Sequence, residues 1–327
     1  MSLDADYIVD RRRMRRKLTF WRVFAVLLAI VAVVAVTLRV TGRGGSLLAT
    51  DTGSYIARVT INGLIRNDLD RVEALDRLAK SRARAVIVHV DSPGGTAAGA
   101  EQLYASLRDV AARKPMVVVV DGLAASGGYI AALSADHVVA RSASLVGSIG
   151  VLVQYPNVAE LLKAVGVKVE EIKSTPLKAA PSAFEPASPE ARAALESIVK
   201  DTYGWFRALV KERRNLNDAG LERVADGRVF TGRQAMDVKL IDQIGGEDTA
   251  IAWLAKEKGV DAKWPVRDWR LKSRFSDLSM LHLATATMLD AAGLGSLARR
   301  IEESATVQTI ERLNLDGLLA LWHPSAN

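Results

Sequence analysis

Two apolar runs, each leading into a glycine-rich turn, constrain the fold of this chain more than any other feature of its sequence. The first run is AVIVHV at 85–90, followed by DSPGG, and the second is MVVVVDG at 116–122, which leads into AASGG. Short runs rich in β-branched residues are typical of strands buried on both faces. The segment between them, TAAGAEQLYASLRDVAA, has apolar residues at helical spacing. Strand, helix and strand in this order predict an α/β fold with largely parallel strands.

The two glycine-rich turns are predicted to lie side by side, because the carboxyl ends of neighbouring parallel strands meet at one edge of the sheet. Ser126 stands in AASGG, where Gly127 and Gly128 permit a tight turn into the next helix. The free amides at a helix start can stabilise an oxyanion. Gly94 and Gly95 offer further amides to a substrate carbonyl. Ser126 is therefore a candidate nucleophile, although glycine-rich turns of this kind are also ordinary in α/β folds.

A nucleophilic serine needs a base, and histidine is the usual one. The chain has only four histidines, His89, His137, His282 and His323. His89 lies within a predicted strand and His137 begins another, which is typical of histidines satisfied in a core or at an edge. No histidine–aspartate pairing is evident, so a Ser-His-Asp triad is disfavoured. Lysine remains, and a lysine acts as a base only where a dry pocket lowers its pKa from ~10.4 towards neutrality.

Several other kinds of site are disfavoured. The chain has no cysteine, which excludes thiol catalysis, thiolate metal sites and disulfides. Asp91 and Asp121, at predicted strand ends, form too small a ligand set for a metal. We therefore expect neither a metal nor another cofactor.

The N-terminal part of the chain predicts a membrane anchor. From Phe20 to Leu38 the sequence is apolar apart from Arg22, and its 19 residues reach across most of a ~30 Å hydrocarbon core. The basic stretch at 11–17 precedes it, so the positive-inside rule predicts a cytoplasmic N-terminus and a catalytic domain on the periplasmic, extracytoplasmic side of the inner (plasma) membrane. A cleaved signal peptide is the alternative, but the apolar run is too long and arginines follow it where small residues are required.

The basic charge of the chain follows from the same segment. Seven arginines and lysines at 11–22, less three aspartates before them, supply +4 of the formal net charge of +7. The remainder is only mildly basic. The charge therefore indicates membrane topology, and no nucleic-acid partner is expected.

The motifs of the chain resemble those of a known protease family. VDSPGG, GLAASGGYIAA and SLVGSIGV, followed by EIKSTPLKAAPSAF and ADGRVFTGRQAMDVKLID, are similar in order and spacing to the membrane-anchored signal peptide peptidases of the SppA type. The resemblance runs from Tyr55 to about Lys256, with one copy of each motif. It implies a crotonase-like and Clp-protease-like ββα spiral fold, a Ser/Lys dyad, and a homo-oligomeric ring of subunits.

The resemblance also assigns roles to residues. The serine of the ASGGY motif is the family's nucleophile, which falls on Ser126, and the lysine that follows the IKSG-like segment is its base, which falls on Lys178. The serine of the GSIG-like motif orients the lysine and falls on Ser148. Lys173 is an alternative base, but it lies in VKVEEIKS, where charges alternate as on an exposed strand, whereas prolines, alanines and a leucine surround Lys178. The expected oxyanion donors are the amides of Gly127 and of the Gly94–Gly95 turn.

Taken together, these features predict a membrane-anchored serine endopeptidase that hydrolyses cleaved signal peptides and other unstructured apolar peptides through an acyl-enzyme. An extended peptide is expected to bind as an added strand beside Gly94. A crotonase-like acyl-CoA enzyme and a catalytically silent membrane scaffold ring are the alternatives; the former would call for acidic catalytic residues and a cytosolic location. The predicted regions are a basic cytoplasmic N-terminus (1–19), an anchor (20–40), a linker (41–54), the peptidase domain (55–256) and a helical extension (257–327).

Overall fold

The computed structural model describes residues 53–271, Trp21 and the backbone of residues 319–321. The strands are β1 (Tyr55–Asn62), β2 (Ala83–Ser92), β3 (Gly94–Thr96), β4 (Met116–Ala125), β5 (His137–Ala140), β6 (Leu145–Gly147), β7 (Val229–Thr231), β8 (Gln243–Ile244), β9 (Val266–Asp268) and β10 (Leu319–Leu321). The helices are α1 (Leu69–Lys80), α2 (Ala97–Ala111), α3 (Gly127–Ala132), α4 (Ala159–Ala164), α5 (Pro189–Arg213), α6 (Asp218–Glu222), α7 (Gly232–Asp237) and α8 (Glu247–Lys258).

The predicted anchor at 20–40 lies outside the described residues, Trp21 apart, as do 1–19 and most of the linker. Within the part of the chain that the structure describes, no helix has both the length and the apolar character to cross a membrane.

An eight-stranded sheet organises the domain and confirms the predicted α/β class. Its main path runs β7-β6-β4-β2-β1-β9, with β5 beside β4 and β8 beside β5. The neighbours pair in parallel, except that β6 and β7 are antiparallel. Parallel sheets need cover on both faces, which explains why the central strands read as nearly continuous apolar runs.

The side chains of β2 show how the two faces are covered. Val86, Val88 and Val90 point into the larger core, which the helices on one face complete. Ala85 and Ile87 point to the opposite face, where Leu254 of α8 covers them. All five side chains are fully buried. The alternation of strand side chains therefore holds two apolar layers together through one sheet.

Local sequence signals determine where the first helices begin. Asp68 precedes α1 and its carboxylate accepts from the amide of Arg71 at 3.0 Å. Thr96 precedes α2 and its hydroxyl accepts from the amide of Gly99 at 3.1 Å. Each cap satisfies one of the amides that a helix start leaves without an intrahelical acceptor.

The sheet extends beyond the boundary that the sequence predicted at residue 256. β9 pairs in parallel with β1, from Ile56 opposite Val266 to Arg58 opposite Asp268. Further along the chain, β10 pairs antiparallel with β3. The described parts of the predicted helical extension are thus the end of α8, β9 and β10, and 272–318 lies outside the described residues.

Candidate active site

Strand register places the two glycine-rich turns next to each other, as predicted from the sequence. Ser92 near the end of β2 pairs with Ala124 near the end of β4. Two residues further along each strand, the chain reaches Gly94 and Ser126. The two turns approach each other so closely that a Cβ on Gly128 would lie 2.5 Å from the carbonyl oxygen of Ser92, which explains the glycine at that position.

Ser126 occupies a strained turn between β4 and α3. Its φ of 53° and ψ of −116° are rare for a residue with a side chain, and such conformations cost about 1–3 kcal/mol. Backbone bonds maintain the turn: the Ser126 amide donates to the carbonyl of Gly147 at 2.8 Å, and the amides of Tyr129 and Ile130 donate to the Ser126 carbonyl. The Ser126 residue is only 1% exposed. A serine held in this way at a strand-to-helix turn is typical of a catalytic nucleophile.

The segment that includes Ser148 borders the turn directly. Gly147 at the end of β6 pairs with Ala125, so Ser148 lies adjacent to the nucleophile candidate along the next strand. Ser148 also has a positive φ, of 51°, and its amide donates to the carbonyl of Arg228 at 2.8 Å. The Ser126 hydroxyl is directed at the same segment, with the Gly150 carbonyl 3.5 Å away. The structure thus brings together the two serines that the sequence singled out.

The amides of the predicted oxyanion site differ in their availability. The Gly94 amide donates to the Ser92 hydroxyl at 3.1 Å. The Gly94 carbonyl accepts from the amide of Ile65, and the Thr96 amide donates back to Ile65. Because successive residues of a strand direct these groups to opposite edges, the Gly95 amide faces away from Ile65. Gly127 is the first residue of α3, and its amide has no acceptor within that helix.

Lys178 makes no hydrogen bond with Ser126 in the part of one chain that the structure describes. It is an exposed residue of the segment 152–188, where its backbone amide donates to Thr175. Within the described residues, no hydrogen bond or ion pair joins its amine to another group. The dry surroundings that the sequence suggested are therefore not provided by this chain alone.

Lys173, the alternative base, is engaged by two carboxylates. Its amine lies 2.7 Å from Glu171 and 2.7 Å from Glu185. The hydrogen bond to Glu171 and then that to Glu185 raise the pKa of Lys173, which favours the protonated form. A protonated amine cannot accept a proton from serine, so this environment argues against Lys173 as a base. The exposed strand predicted around Lys173 is not observed, and residues 167–174 form neither helix nor strand.

The segment 152–188 exposes many apolar side chains. Helix α4 has no buried residue. Ile172 is fully exposed, and large apolar side chains before and after it are at least two-fifths exposed: Leu161, Val165, Val167, Val169, Leu177 and Phe184. Several large exposed apolar side chains within one segment favour a site of interaction with another molecule.

His89 is engaged on the α8 face of the sheet. Its Nδ1 lies 2.8 Å from Asp121 and its Nε2 lies 2.8 Å from Glu247. Glu247 also accepts from Arg58, and these bonds lower the pKa of Glu247 against the opposing effect of burial, with a smaller contribution from the bond to His89. With both ring nitrogens occupied, His89 has no free nitrogen to act as a base. The contact with Asp121 is a histidine–aspartate pair that the sequence did not predict, and Glu247 could not be predicted as a partner because it is 158 residues away.

His137 is also packed against another side chain of the fold. Its ring stacks on Trp253 with centroids 4.6 Å apart, and burial lowers its pKa. Among the described residues, no group of three or more histidine, cysteine, aspartate or glutamate side chains is arranged to hold a metal ion. The expectation of no metal remains a prediction.

Sequence comparisons with known proteins indicate one protease family. The model of Peptidase family S49 matches residues 108–261. A protein of Synechocystis sp. named as a candidate protease is 35% identical over 214 residues, which cover 65% of this chain and 77% of that protein. The chloroplastic serine protease SPPA of Arabidopsis thaliana is 32% identical over 68% of this chain, but the match covers only 34% of that protein. A ClpP1 variant from Listeria monocytogenes has a TM-score of 0.39 and 15% identity, covering 58% of this chain and 91% of that one.

Proposed function

The chain belongs to peptidase family S49, the family of the SppA proteases, and from this premise we propose that it is a membrane-anchored serine endopeptidase with a Ser/Lys dyad. Its proposed substrates are cleaved signal peptides and other unstructured apolar peptides. The observation that carries the proposal is the strained, buried turn at Ser126 beside the Gly94–Gly95 turn. Strain of this kind persists where the surrounding structure imposes it, and it is concentrated at active sites.

The proposed reaction begins when the neutral amine of Lys178 takes the proton of the Ser126 hydroxyl. The Ser126 Oγ attacks the peptide carbonyl, and the resulting oxyanion accepts hydrogen bonds from backbone amides. Gly127 and Gly95 are favoured as donors, because the Gly94 amide bonds to Ser92 within the turn itself, whereas the Gly95 amide faces the edge of β3 where the peptide is expected to bind. The lysine then protonates the leaving amine, and water releases the acyl group from Ser126.

We further propose that a neighbouring copy of the chain supplies Lys178, as the ring implied by the family resemblance would require. Two observations support this proposal. Among the described residues, Lys178 is exposed and makes no hydrogen bond with Ser126, and the segment 152–188 that carries it exposes an apolar surface. Burial of that surface against another subunit would also give the lysine the dry environment that a base needs.

The proposed substrates require that the catalytic domain lie across the membrane from the N-terminus, as the basic residues at 11–17 and the apolar run at 20–38 predict. Fused after Asn327, alkaline phosphatase should be active and green fluorescent protein dark, because each reports one side of the membrane. Replacing the six basic residues at 11–17 by glutamine should weaken this bias. A fluorescent green fluorescent protein fusion together with an inactive phosphatase fusion would refute the topology.

A substrate panel tests the proposed activity. The full-length protein in detergent is expected to cleave synthetic signal peptides and unfolded, reduced casein, while a disulfide-bonded folded protein of similar size resists, because only an extended chain can pair with a strand edge. Cleavage is followed by mass spectrometry. Equal cleavage of the folded protein, or no cleavage of any peptide by protein shown to be oligomeric, would contradict the proposal.

A further inference from the structure

The short strand β3 has a neighbour on each of its edges. On one edge, Ile65 bridges to Gly95, with bonds of 2.8 Å from the Ile65 amide to Gly94 and of 2.9 Å from the Thr96 amide to Ile65. On the other edge lies β10, the segment Leu319–Leu321 from near the end of the same chain. A peptide that pairs with β3 therefore finds both edges occupied in the described part of the structure.

The register identifies which groups β10 occupies. Ala320 lies opposite Gly95, with Leu319 opposite Thr96 and Leu321 opposite Gly94. Since the bonds to Ile65 use Gly94 and Thr96, the amide and carbonyl of Gly95 face β10, and Ala320 is the residue that exchanges hydrogen bonds with them. The Gly95 amide is also a favoured oxyanion donor. The carbonyl of Ala320 thus competes for the same donor as the carbonyl of a bound peptide.

We propose that the C-terminal segment around Ala320 is an internal ligand of the peptide-binding edge and has to leave before an external peptide can bind. The proposal rests on the proposed function in that it takes this edge of β3 as the substrate site. Backbone pairing by strand addition tolerates many sequences, so a segment of the chain itself can use it as readily as a substrate does. Tethering makes the segment a competitor at any protein concentration, because its encounter with β3 takes place within one molecule.

Proline substitutions test this competition with a matched pair of variants. In Ala320→Pro, the amide that donates to Gly95 is lost, whereas in Leu321→Pro the lost amide points away from β3, where a proline is tolerated. We expect Ala320→Pro to lower KM for an external peptide by about threefold or more with little change in kcat, because fewer molecules have an occupied edge. Leu321→Pro should keep the wild-type KM. Equal KM values in the wild type and both variants would overturn the proposal.

A binding measurement keeps this test separate from the proposed function. The full-length Ser126→Ala, Ala320→Pro protein is mixed with a fluorescent peptide of residues 315–325, and binding is followed by anisotropy. N-methylation of the peptide at position 320 should weaken binding about tenfold, while N-methylation at position 321 should not, because only the first removes an amide that pairs with β3. Binding with this pattern supports the proposal even if no substrate is hydrolysed. Absence of binding, or equal loss from both methylations, refutes it even if peptidase activity is present.

Discussion

The Ser126→Ala protein is expected to hydrolyse peptides about a thousandfold more slowly than the wild type, or slower still, because removal of a nucleophile leaves only binding and oxyanion stabilisation. The turn itself should survive. Its bonds to Gly147, Tyr129 and Ile130 all use backbone groups, and alanine adds no atom to the buried position. The measurement is kcat/KM of the full-length protein on a peptide that the wild type cleaves.

Ser134→Ala provides a matched control for this experiment. Ser134 is also fully buried, and its hydroxyl donates to the Ala131 carbonyl within the turn that ends α3. Both variants lose a buried hydroxyl, but only one of these hydroxyls lies at the proposed site. A fluorophosphonate probe should label the wild type and Ser134→Ala and should leave Ser126→Ala unlabelled. Activity of Ser126→Ala above about a tenth of the wild-type value would exclude Ser126 as the nucleophile.

The sequence predicted the central part of this site because the relevant signals are local. The apolar runs of β2 and β4, with a helical period between them, determine two parallel neighbouring strands, and parallel strands bring their terminal turns together. The pairing of Ser92 with Ala124 confirms that step. The glycines at 127 and 128 likewise predict a turn after β4. The strained backbone of Ser126 within that turn becomes evident only in the folded structure.

Other features of the site depend on contacts between distant residues, which periodicity does not specify. Ile65 determines which way Gly95 faces, and a Cβ on Gly95 would lie only 1.8 Å from the Ile65 carbonyl oxygen. β10 reaches β3 from more than two hundred positions further along the chain. The ion pair that argues against Lys173 as a base was likewise not predictable, because its partner Glu185 lies 12 residues away. Local composition had favoured Lys178 only through its apolar neighbours.

Mixing two inactive variants is expected to restore activity if neighbouring subunits share the dyad. Lys178→Ala should be inactive, and Lys178→Arg equally so, because a guanidinium keeps its proton and cannot act as a base. In a mixed ring of Ser126→Ala and Lys178→Ala subunits, some junctions join the intact serine of one subunit to the intact lysine of the next. With random mixing, about a quarter of the junctions are complete. Activity should therefore return from near zero to about a quarter of the wild-type level, which is measured after co-expression and purification through two different tags.

The matched control is co-expression of Ser126→Ala with the double variant Ser126→Ala, Lys178→Ala. Such rings contain no intact serine, so they should remain inactive however they assemble. Lys173→Ala, in contrast, should retain most of the wild-type activity, because the two carboxylates that surround Lys173 favour its protonated form. If doubly tagged rings of Ser126→Ala and Lys178→Ala form but stay inactive, the dyad lies within one chain. In that case the segment 152–188 would have to adopt another arrangement within one chain, because in the described arrangement Lys178 makes no hydrogen bond with the serine hydroxyl that a base has to reach.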